Sequence, residues 1–567
     1  MWQQVYTPVV GSLGWSALVA ALPVFVLLFL IGVLRKPSWI ASLAGLGAAI
    51  LVAFFVYGMP AGSLFNSVAY GAAFGLFPIG WIVYWAILLY RVTLDTGKFE
   101  IIKDSVANLT GDHCLQALLI AFAFGAFIEG AAGFGTPVAV AAAMLTGLGF
   151  SPYYAAGICL LANTAPVAFG SIGIPLVTLQ GITGLPLSGL SADVGRICAP
   201  VSLFVPAYLV LVMGGWKALR SVLPAAAVCG ITFAGAQFLI SSFVGPYLTD
   251  IIGSLAAMGA LVILLNIWKP RECFHLPSNS RTKREGDSDP SGVAWPSAST
   301  VRVAGTAEAT IVRRHSGTEV FYAWAPYGLL VIFVLLWGLG PVKHWLEMVT
   351  LKINWPGLHN LVVRTPPVVS KPSPYAAVYT LNWLSASGTS CMFATMVGAL
   401  VLGMSPKRFV TLLVSTWNQL FLSMVTLAAV LGLAFLMNYC GATATLGLAF
   451  AATGVMFPFF SALLGWVGVF LTGSDTSANA LFGNLQVVTA NTLHLNPVLM
   501  ASANSSGGVM GKMISLTSIA VASAATEMPV SDEGKLFRFT LRHSILLASV
   551  IGVLTMFYAY VMPHWVR

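Results

Sequence analysis

The chain contains 567 residues, of which 58% are hydrophobic and only 8% are charged, and its mean hydropathy is +0.88. Soluble domains carry about 25% charged residues, so this composition excludes an ordinary soluble protein and indicates a polytopic membrane protein. The net charge of +9 does not indicate nucleic-acid binding, because most basic residues lie in loops between apolar runs, as topology signals do.

The first 267 residues contain several apolar runs that are long enough to cross a bilayer as helices. Continuous runs lie near residues 11–34, 38–57, 66–90, 197–214, 221–243 and 251–267. The first run follows no basic segment and is long enough to span, so we expect a retained helix and not a cleaved signal peptide.

Residues 268–320 are polar and rich in Ser, Arg and Gly, and they predict a cytoplasmic linker that has no core of its own. Spans resume after this linker, and a loop is expected at 341–372. The continuous runs lie near 321–340, 384–403, 409–436 and 541–562. The chain is therefore divided into an N-terminal half, 1–267, and a C-terminal half, 321–567.

Residues 127–137 interrupt a long apolar region with Glu129, several small residues and a Thr-Pro step. Gly costs about 1 kcal/mol and Pro about 3 kcal/mol in a helix interior, and an acid at the bilayer centre costs roughly 2.5–3.5 kcal/mol. Irregular backbone at that depth occurs only where it is buried in protein or lines a wet cavity. Residues 471–479, which include Asp475, form a second stretch of this kind.

Two breaks follow these stretches at similar distances. Gly130 precedes Asn163 by 33 residues, and Gly473 precedes Asn504 by 31 residues. We therefore predict an all-α protein of about 12–14 membrane segments, built from two inverted-topology repeats as in secondary transporters. Each repeat contains a re-entrant hairpin and a broken helix, at 113–150 and 152–180 in the first and at 443–484 and 486–523 in the second. In the alternative interpretation, each region forms two short full spans whose small residues allow tight helix packing.

The distribution of basic residues predicts that the N-terminus lies outside. With that orientation, twenty of the 27 Lys and Arg residues fall in inside-facing segments and five fall outside.

Three charged residues lie deep in apolar surroundings. Glu129 and Asp475 are the deep acids, one in each repeat, whereas we place the other sixteen, Asp250 among them, in loops or near span ends. Lys512 is the deep cation. Such charges are paired, protonated or functional, so we expect Glu129 and Asp475 to be proton-coupling candidates. The alternative is a static pair between Lys512 and one of the acids.

The break sequences supply hydrogen-bond donors beside these charges. A helix that restarts at the midplane presents free N–H groups and a positive dipole end to an anion. Few fixed cations accompany them, so the site suits one small carboxylate and not a polyphosphate. The expected substrate-binding residues are Asn163, Thr164, Ser474, Asn504, Ser505 and Lys512. Alternatively, the Asn-Thr and Asn-Ser pairs are ordinary helix caps.

Four motifs resemble signatures of the bacterial L-lactate permease family. They cover residues 127–135, 163–170, 471–476 and 511–515, and the likeness extends from Trp2 to the last span, leaving out mainly 268–320. The resemblance implies proton-coupled import of L-lactate, with D-lactate and glycolate as companions, across the bacterial cytoplasmic (inner) membrane. It also implies an elevator-like motion.

We therefore expect a secondary proton symporter for a small monocarboxylate, with H⁺ as the coupling ion and no cofactor or metal. One alternative is a sodium-coupled transporter of another small carboxylate, because unwound carbonyls can hold Na⁺. A membrane-embedded enzyme is a further alternative, but the eight His lie in loops or near span ends and the seven Cys are scattered. A channel is the last, although it would not need buried titratable groups in both repeats.

Overall fold

The computed structural model describes residues 1–107, 109–133, 135–270 and 315–566. Eleven helices in this part of the chain are long and apolar enough to cross a membrane, or up to twelve if one bent pair is a single span. The prediction of a polytopic, mostly helical membrane protein is confirmed. Most of the predicted linker, together with Phe134 of the first unusual stretch, lies outside the described residues.

Helices occur in both halves of the described chain. In the first half they are Leu13–Gly32, Ser38–Val56, Ala61–Asp95, Lys98–Ala107, His113–Ala131, Thr136–Gly147, Pro152–Ala162, Gly170–Thr183, Leu187–Phe243 and Thr249–Ile267. In the second half they are Gly317–Gly338, Gly340–Glu347, Ser387–Val401, Pro406–Cys440, Ala442–Phe450, Phe457–Thr472, Asp475–Thr492, Pro497–Lys512, Leu516–Ala525 and Val530–Tyr560.

The helix Leu187–Phe243 accounts for two of the predicted spans. Its 57 residues would extend for about 85 Å at 1.5 Å per residue, whereas the hydrocarbon core is about 30 Å thick. The helix is interrupted at Gly215, where φ is 68° and ψ is −170°. This interruption lies between the predicted spans 197–214 and 221–243.

Both unusual stretches form the turn between two helices that pack against each other. The first hairpin consists of His113–Ala131 and Thr136–Gly147, and we call Ala132, Gly133 and Gly135 the first tip. The second hairpin consists of Phe457–Thr472 and Asp475–Thr492, and we call residues 473–474 the second tip. The opposite orientation of the two hairpins in the membrane stays a prediction.

The second hairpin ends later than its predicted limit of 484. Its returning helix continues to Thr492, and the next helix begins at Pro497. Asn496 caps that helix, because its Oδ1 accepts hydrogen bonds from the N–H groups of Val498 and Leu499 at 2.9 and 3.2 Å. An Asn cap followed by Pro is a strong helix start, so the first residues of the predicted broken helix 486–523 belong to the hairpin.

The breaks that follow the hairpins differ from each other. In the first half the chain bends by 64° between Pro152–Ala162 and the segment 167–183, which confirms the predicted break at 163–166. The predicted second break at 504–508 is wrong, because these residues are helical within Pro497–Lys512. The chain leaves the helix only at 513–515, which we call the second break.

Close helix packing explains why residues 504–508 remain helical. A Cβ atom on Gly507 would collide with the carbonyl oxygen of Ala462, and one on Gly465 would collide with the carbonyl oxygen of Asn504. The small residues of Pro497–Lys512 therefore allow its backbone to approach Phe457–Thr472 closely. The small residues therefore pack tightly, as the alternative interpretation expected, but its two short full spans are not seen here, since Pro497–Ala525 is one candidate span.

The predicted loop at 341–372 is partly ordered into strands. Leu351–Asn354 pairs with Val378–Leu381, and Val362–Arg364 pairs with Ser373–Pro374 and with the N-terminal strand Trp2–Gln3. Gln4 continues this attachment, since its Nε2 donates to the carbonyl oxygens of Asn438 and Tyr439 at 2.9 and 2.8 Å. The N-terminus is thus held against the second half of the chain.

Candidate functional site

A cavity of about 380 Å³ lies between the two tips. It is bounded by hairpin residues of both halves and by residues that flank the two breaks. Its wall includes Glu129, Gly135, Gly170, Ser171, Thr472, Gly473, Ser474, Asp475, Thr476, Lys512, Thr517 and Ser518. The three deep charges that the sequence singles out therefore meet at one cavity.

The first tip packs directly against irregular backbone that follows the first break. Ser171 Oγ donates to the carbonyl oxygen of Ala132 at 3.0 Å. Ser171, Ile172 and Gly173 have φ of 47°, 60° and 72°. Left-handed backbone costs a non-glycine residue about 1–2 kcal/mol and is unusual for β-branched Ile. Such outliers cluster at functional sites, where the surrounding structure holds them.

The second tip contacts residues on both sides of the second break. Gly473 has φ of +72°, and a Cβ atom there would collide with Thr517 Oγ1. Ser474 caps the helix Asp475–Thr492, because its Oγ accepts from the N–H of Ser477 at 3.2 Å. Lys512 Nζ donates to the carbonyl oxygen of Gly473 at 2.6 Å. The ammonium group of Lys512 is therefore held directly against the second tip.

Asp475 is buried in the first turn of its helix, where the helix dipole favours negative charge by about 0.3–1 kcal/mol. Its Oδ2 accepts from Ser505 Oγ at 2.6 Å and from Asn479 Nδ2 at 3.4 Å. Its Oδ1 is buried without a hydrogen-bond partner. One carboxylate oxygen is thus satisfied and the other is not.

Glu129 is buried beside the first break. A Cβ atom on Gly170 would lie 2.6 Å from Glu129 Oε1, so a larger residue there would displace the Glu129 carboxyl group. Its Oε2 is buried without a hydrogen-bond partner. Asn163 interacts with this carboxyl group, although neither amide atom of Asn163 makes a hydrogen bond of standard geometry.

Lys512 lies between the two acids without a direct ion pair to either. It interacts electrostatically with both Glu129 and Asp475, but in the described part of the chain neither carboxylate lies within 4.0 Å of its ammonium group. The geometry therefore differs from the static pair that we considered as an alternative.

The other predicted binding residues lie behind the cavity wall. Asn504 accepts from Gln486 Nε2 at 3.0 Å and donates to Asn479 Oδ1 at 2.9 Å. Ser505 Oγ donates to Asp475 Oδ2, and Thr164 Oγ1 donates to the carbonyl oxygen of Leu161 at 2.7 Å. Among the predicted binding residues, Ser474 and Lys512 line the cavity, whereas Asn163, Thr164, Asn504 and Ser505 do not.

Two groups of residues at or beside the cavity are not predicted from the sequence. Ser171, Thr517 and Ser518 contribute hydroxyl groups to the wall. Asp250 lies near a span end, as expected, but it is only 1% exposed and interacts electrostatically with Glu129. The sequence does carry a signal for Asp250, since no other charged residue lies between Arg220 and Lys269.

Comparison with known proteins identifies the family to which this chain belongs. The family model described as L-lactate permease matches residues 16–562. The chain belongs to the L-lactate permease family. It is 43% identical to the L-lactate permease of Bacillus subtilis, with 98% of each chain covered. It is 42% identical to the glycolate permease GlcA of Escherichia coli, with 99% of this chain and 98% of that protein covered. The crystal structure of the Alcanivorax borkumensis YdaH transporter has a TM-score of 0.44 and 16% identity, covering 88% of each chain.

Membership of the L-lactate permease family makes this chain a permease and a multi-pass membrane protein, and confirms the resemblance carried by the four motifs. These motifs are the ones that surround the cavity. Residues 127–133 and Gly135 form the end of a hairpin helix and the first tip, 471–476 contain the second tip, and 511–515 contain Lys512 and the second break.

Proposed function

We propose that this permease imports L-lactate, together with D-lactate and glycolate, by proton symport across the bacterial cytoplasmic membrane. The observation that carries the proposal is the single cavity between the tips, which combines one cation, several helix N-termini and two carboxyl groups. The distribution of basic residues supports an N-terminus on the outside. The proposal includes H⁺ as the coupling ion and no cofactor.

Helix N-termini at the cavity favour an anionic substrate. The helices Thr136–Gly147, Asp475–Thr492 and Leu516–Ala525 each begin at the cavity wall, through Gly135, Ser474 and Thr517. The first N–H groups of a helix lack intrahelical partners, and the dipole places partial positive charge there. Lys512 adds a full positive charge. Together these groups suit one carboxylate.

The remaining wall favours a short 2-hydroxy acid. Hydroxyl groups of Ser171, Ser474 and Ser518 face a space of about 380 Å³, which is near the small end of ligand pockets. They can exchange hydrogen bonds with the 2-hydroxyl group that lactate and glycolate share. The names of the relatives, L-lactate permease and glycolate permease, agree with this substrate class.

The charge balance of the site supports coupling to protons. Glu129 and Asp475 together carry two negative charges when ionised, and a substrate carboxylate adds a third, whereas Lys512 provides one positive charge. Uncompensated charge in a buried site costs several kcal/mol per ion. Protonation of an acid lowers this cost, so binding of the anion and of a proton favour each other.

Uptake of labelled L-lactate into proteoliposomes that contain the purified permease tests this proposal. We expect accumulation above the external concentration when the exterior is acidic and sodium is absent, and collapse of this accumulation on addition of a protonophore. Unlabelled glycolate should compete. Uptake that requires sodium and ignores the pH gradient would contradict proton symport and favour the sodium-coupled alternative.

Ser505→Ala tests the environment of Asp475. The substitution removes the 2.6 Å hydrogen bond to Asp475 Oδ2 and leaves only the longer contact from Asn479. A hydrogen bond to a charged group contributes about 1.5–3 kcal/mol, so we expect the pH midpoint of uptake to move while the protein inserts normally. Ser549→Ala, which removes a hydroxyl that bonds only its own helix, is the control. An unchanged pH profile would show that Ser505 does not influence coupling.

A further inference from the structure

Asp250 is a buried acid that lies outside the cavity wall. It occupies the first turn of Thr249–Ile267, and neither of its carboxylate oxygens has a hydrogen-bond partner. Thr249 and Ile251 beside it are also fully buried. Buried polar groups are nearly always hydrogen-bonded, so an acid with two unsatisfied oxygens indicates a ligand or a proton at this position.

Tight packing fixes Asp250 next to Glu129. A Cβ atom on Gly130 would lie 2.8 Å from Asp250 Cβ and 3.1 Å from the backbone nitrogen of Ile251. Glycine at 130 therefore lets the end of the first hairpin helix touch the start of Thr249–Ile267. On the other side, a Cβ atom on Gly173 would lie 2.8 Å from Pro246 Cβ. The loop before Asp250 is thus held against the irregular backbone of the first half.

No cation faces Asp250 from the described elements that pack against it. His113–Ala131 presents Glu129, while His113 and Cys114 lie at its opposite end. Leu187–Phe243 presents the thiol of Cys198, and its Arg196 is paired with Asp193 at 2.7 Å. Gly170–Thr183 carries no ionisable side chain, nor does the rest of Thr249–Ile267.

Two adjacent buried carboxylates would be costly if both were ionised, because the one cation near them in the described part of the chain, Lys512, is shared with Asp475. Like charges that share a site disfavour double ionisation, and each buried ion carries a desolvation cost of several kcal/mol. Lys512 interacts with Glu129 and Asp475, so it offsets at most one charge among these groups. Asp193 shows the contrast, because its direct bond to Arg196 makes it a structural ion pair.

We propose that Glu129 and Asp250 form a two-carboxyl proton site, in which Glu129 opens on the cavity and Asp250 is the inner member. Proton transfer breaks the O–H bond of the Glu129 carboxyl and forms one on the Asp250 carboxylate, so the charge of the pair is unchanged. The transfer leaves Glu129 able to accept another proton from the cavity. This inference rests on the proposed proton symport and adds a residue to it.

Asp250→Asn tests the inner site in the full-length permease in proteoliposomes. We expect the variant to exchange labelled for unlabelled lactate but to lose accumulation driven by a pH gradient, because exchange needs the substrate site and accumulation needs the proton site. Asp112→Asn is the matched control. Asp112 is also buried, but it caps a helix by accepting from the N–H of Leu115 at 3.0 Å, a role that Asn fills. We expect this control to accumulate lactate normally.

A second measurement uses the wild-type protein, so it does not depend on how the variant folds. Dicyclohexylcarbodiimide reacts with protonated carboxyl groups in apolar surroundings. We expect an adduct on Glu129 or Asp250 by peptide mass spectrometry, with less adduct as the pH of the reaction rises. Absence of an adduct on both residues, or normal accumulation by Asp250→Asn, would overturn the two-carboxyl site. Failure of the wild type to respond to a pH gradient would instead overturn the proposed proton symport.

Discussion

Asp475→Asn is expected to abolish accumulation of lactate driven by a pH gradient while leaving lactate exchange in place. The amide is nearly isosteric with the carboxyl group and can still accept from Ser505, so the second tip should keep its structure. It cannot, however, carry a proton through the transport cycle. Labelled uptake and counterflow in proteoliposomes of equal protein content measure the two activities separately.

The control for Asp475→Asn removes an acid that does not line the cavity. Asp532 forms a partly exposed ion pair with Lys535 at 2.8 Å, and such pairs contribute only about 0–1 kcal/mol. Asp532→Asn should therefore transport as the wild type does. Accumulation by Asp475→Asn at the wild-type level would remove Asp475 from the coupling mechanism and leave Glu129 and Asp250 as its acids.

The hairpin tips and the deep charges can be predicted from the sequence, because the cost of burying them can be judged from the neighbouring residues alone. An acid among small residues inside an apolar run is expensive wherever the chain folds, so Glu129 and Asp475 can be assigned to a protein interior without any knowledge of tertiary contacts. The structure places both at one cavity with Lys512. The assignment of each side chain to proton or substrate stays a prediction.

The second break could not be located from the sequence, because glycine has two opposite uses. Gly507 and Gly508 cost helix stability, yet they also allow a neighbouring helix to approach. The helix that makes the approach, Phe457–Thr472, is separated from them by the whole returning arm of the hairpin. Only tertiary structure shows that the chain stays helical here and breaks after Lys512.

The burial of Asp250 also could not be predicted from the sequence, because it depends on long-range contacts. A lone acid between two apolar runs normally lies in water, where it needs no partner. Here the loop before it packs on Gly173 and the helix start packs on Gly130, and both contacts join residues far apart in sequence. The strand pair between Trp2–Gln3 and Val362–Arg364 is similarly long-range. Local patterns do not contain such pairings.

Lys512→Met is expected to reduce lactate uptake mainly by raising the half-saturation concentration. Met has a similar length and keeps the apolar stem, but the hydrogen bond to the carbonyl oxygen of Gly473 and the positive charge are both lost. Loss of a charged hydrogen bond between the ammonium group and the substrate carboxylate should weaken binding by about 1.5–3 kcal/mol. This corresponds to roughly 10- to 150-fold in affinity. Initial rates over a range of lactate concentrations, divided by the amount of inserted protein, measure this change.

The control for Lys512→Met is Lys103→Met, which removes a cation that pairs with Glu100 at 2.7 Å and does not line the cavity. The control should keep the wild-type half-saturation concentration, because an exposed pair between neighbouring helical residues stabilises little. If Lys512→Met transports normally per inserted molecule while its expression falls, the ammonium group serves only to hold the second tip against the second break. The substrate carboxylate would then be bound by the helix N-termini alone, and the cavity would need no fixed cation to select an anion.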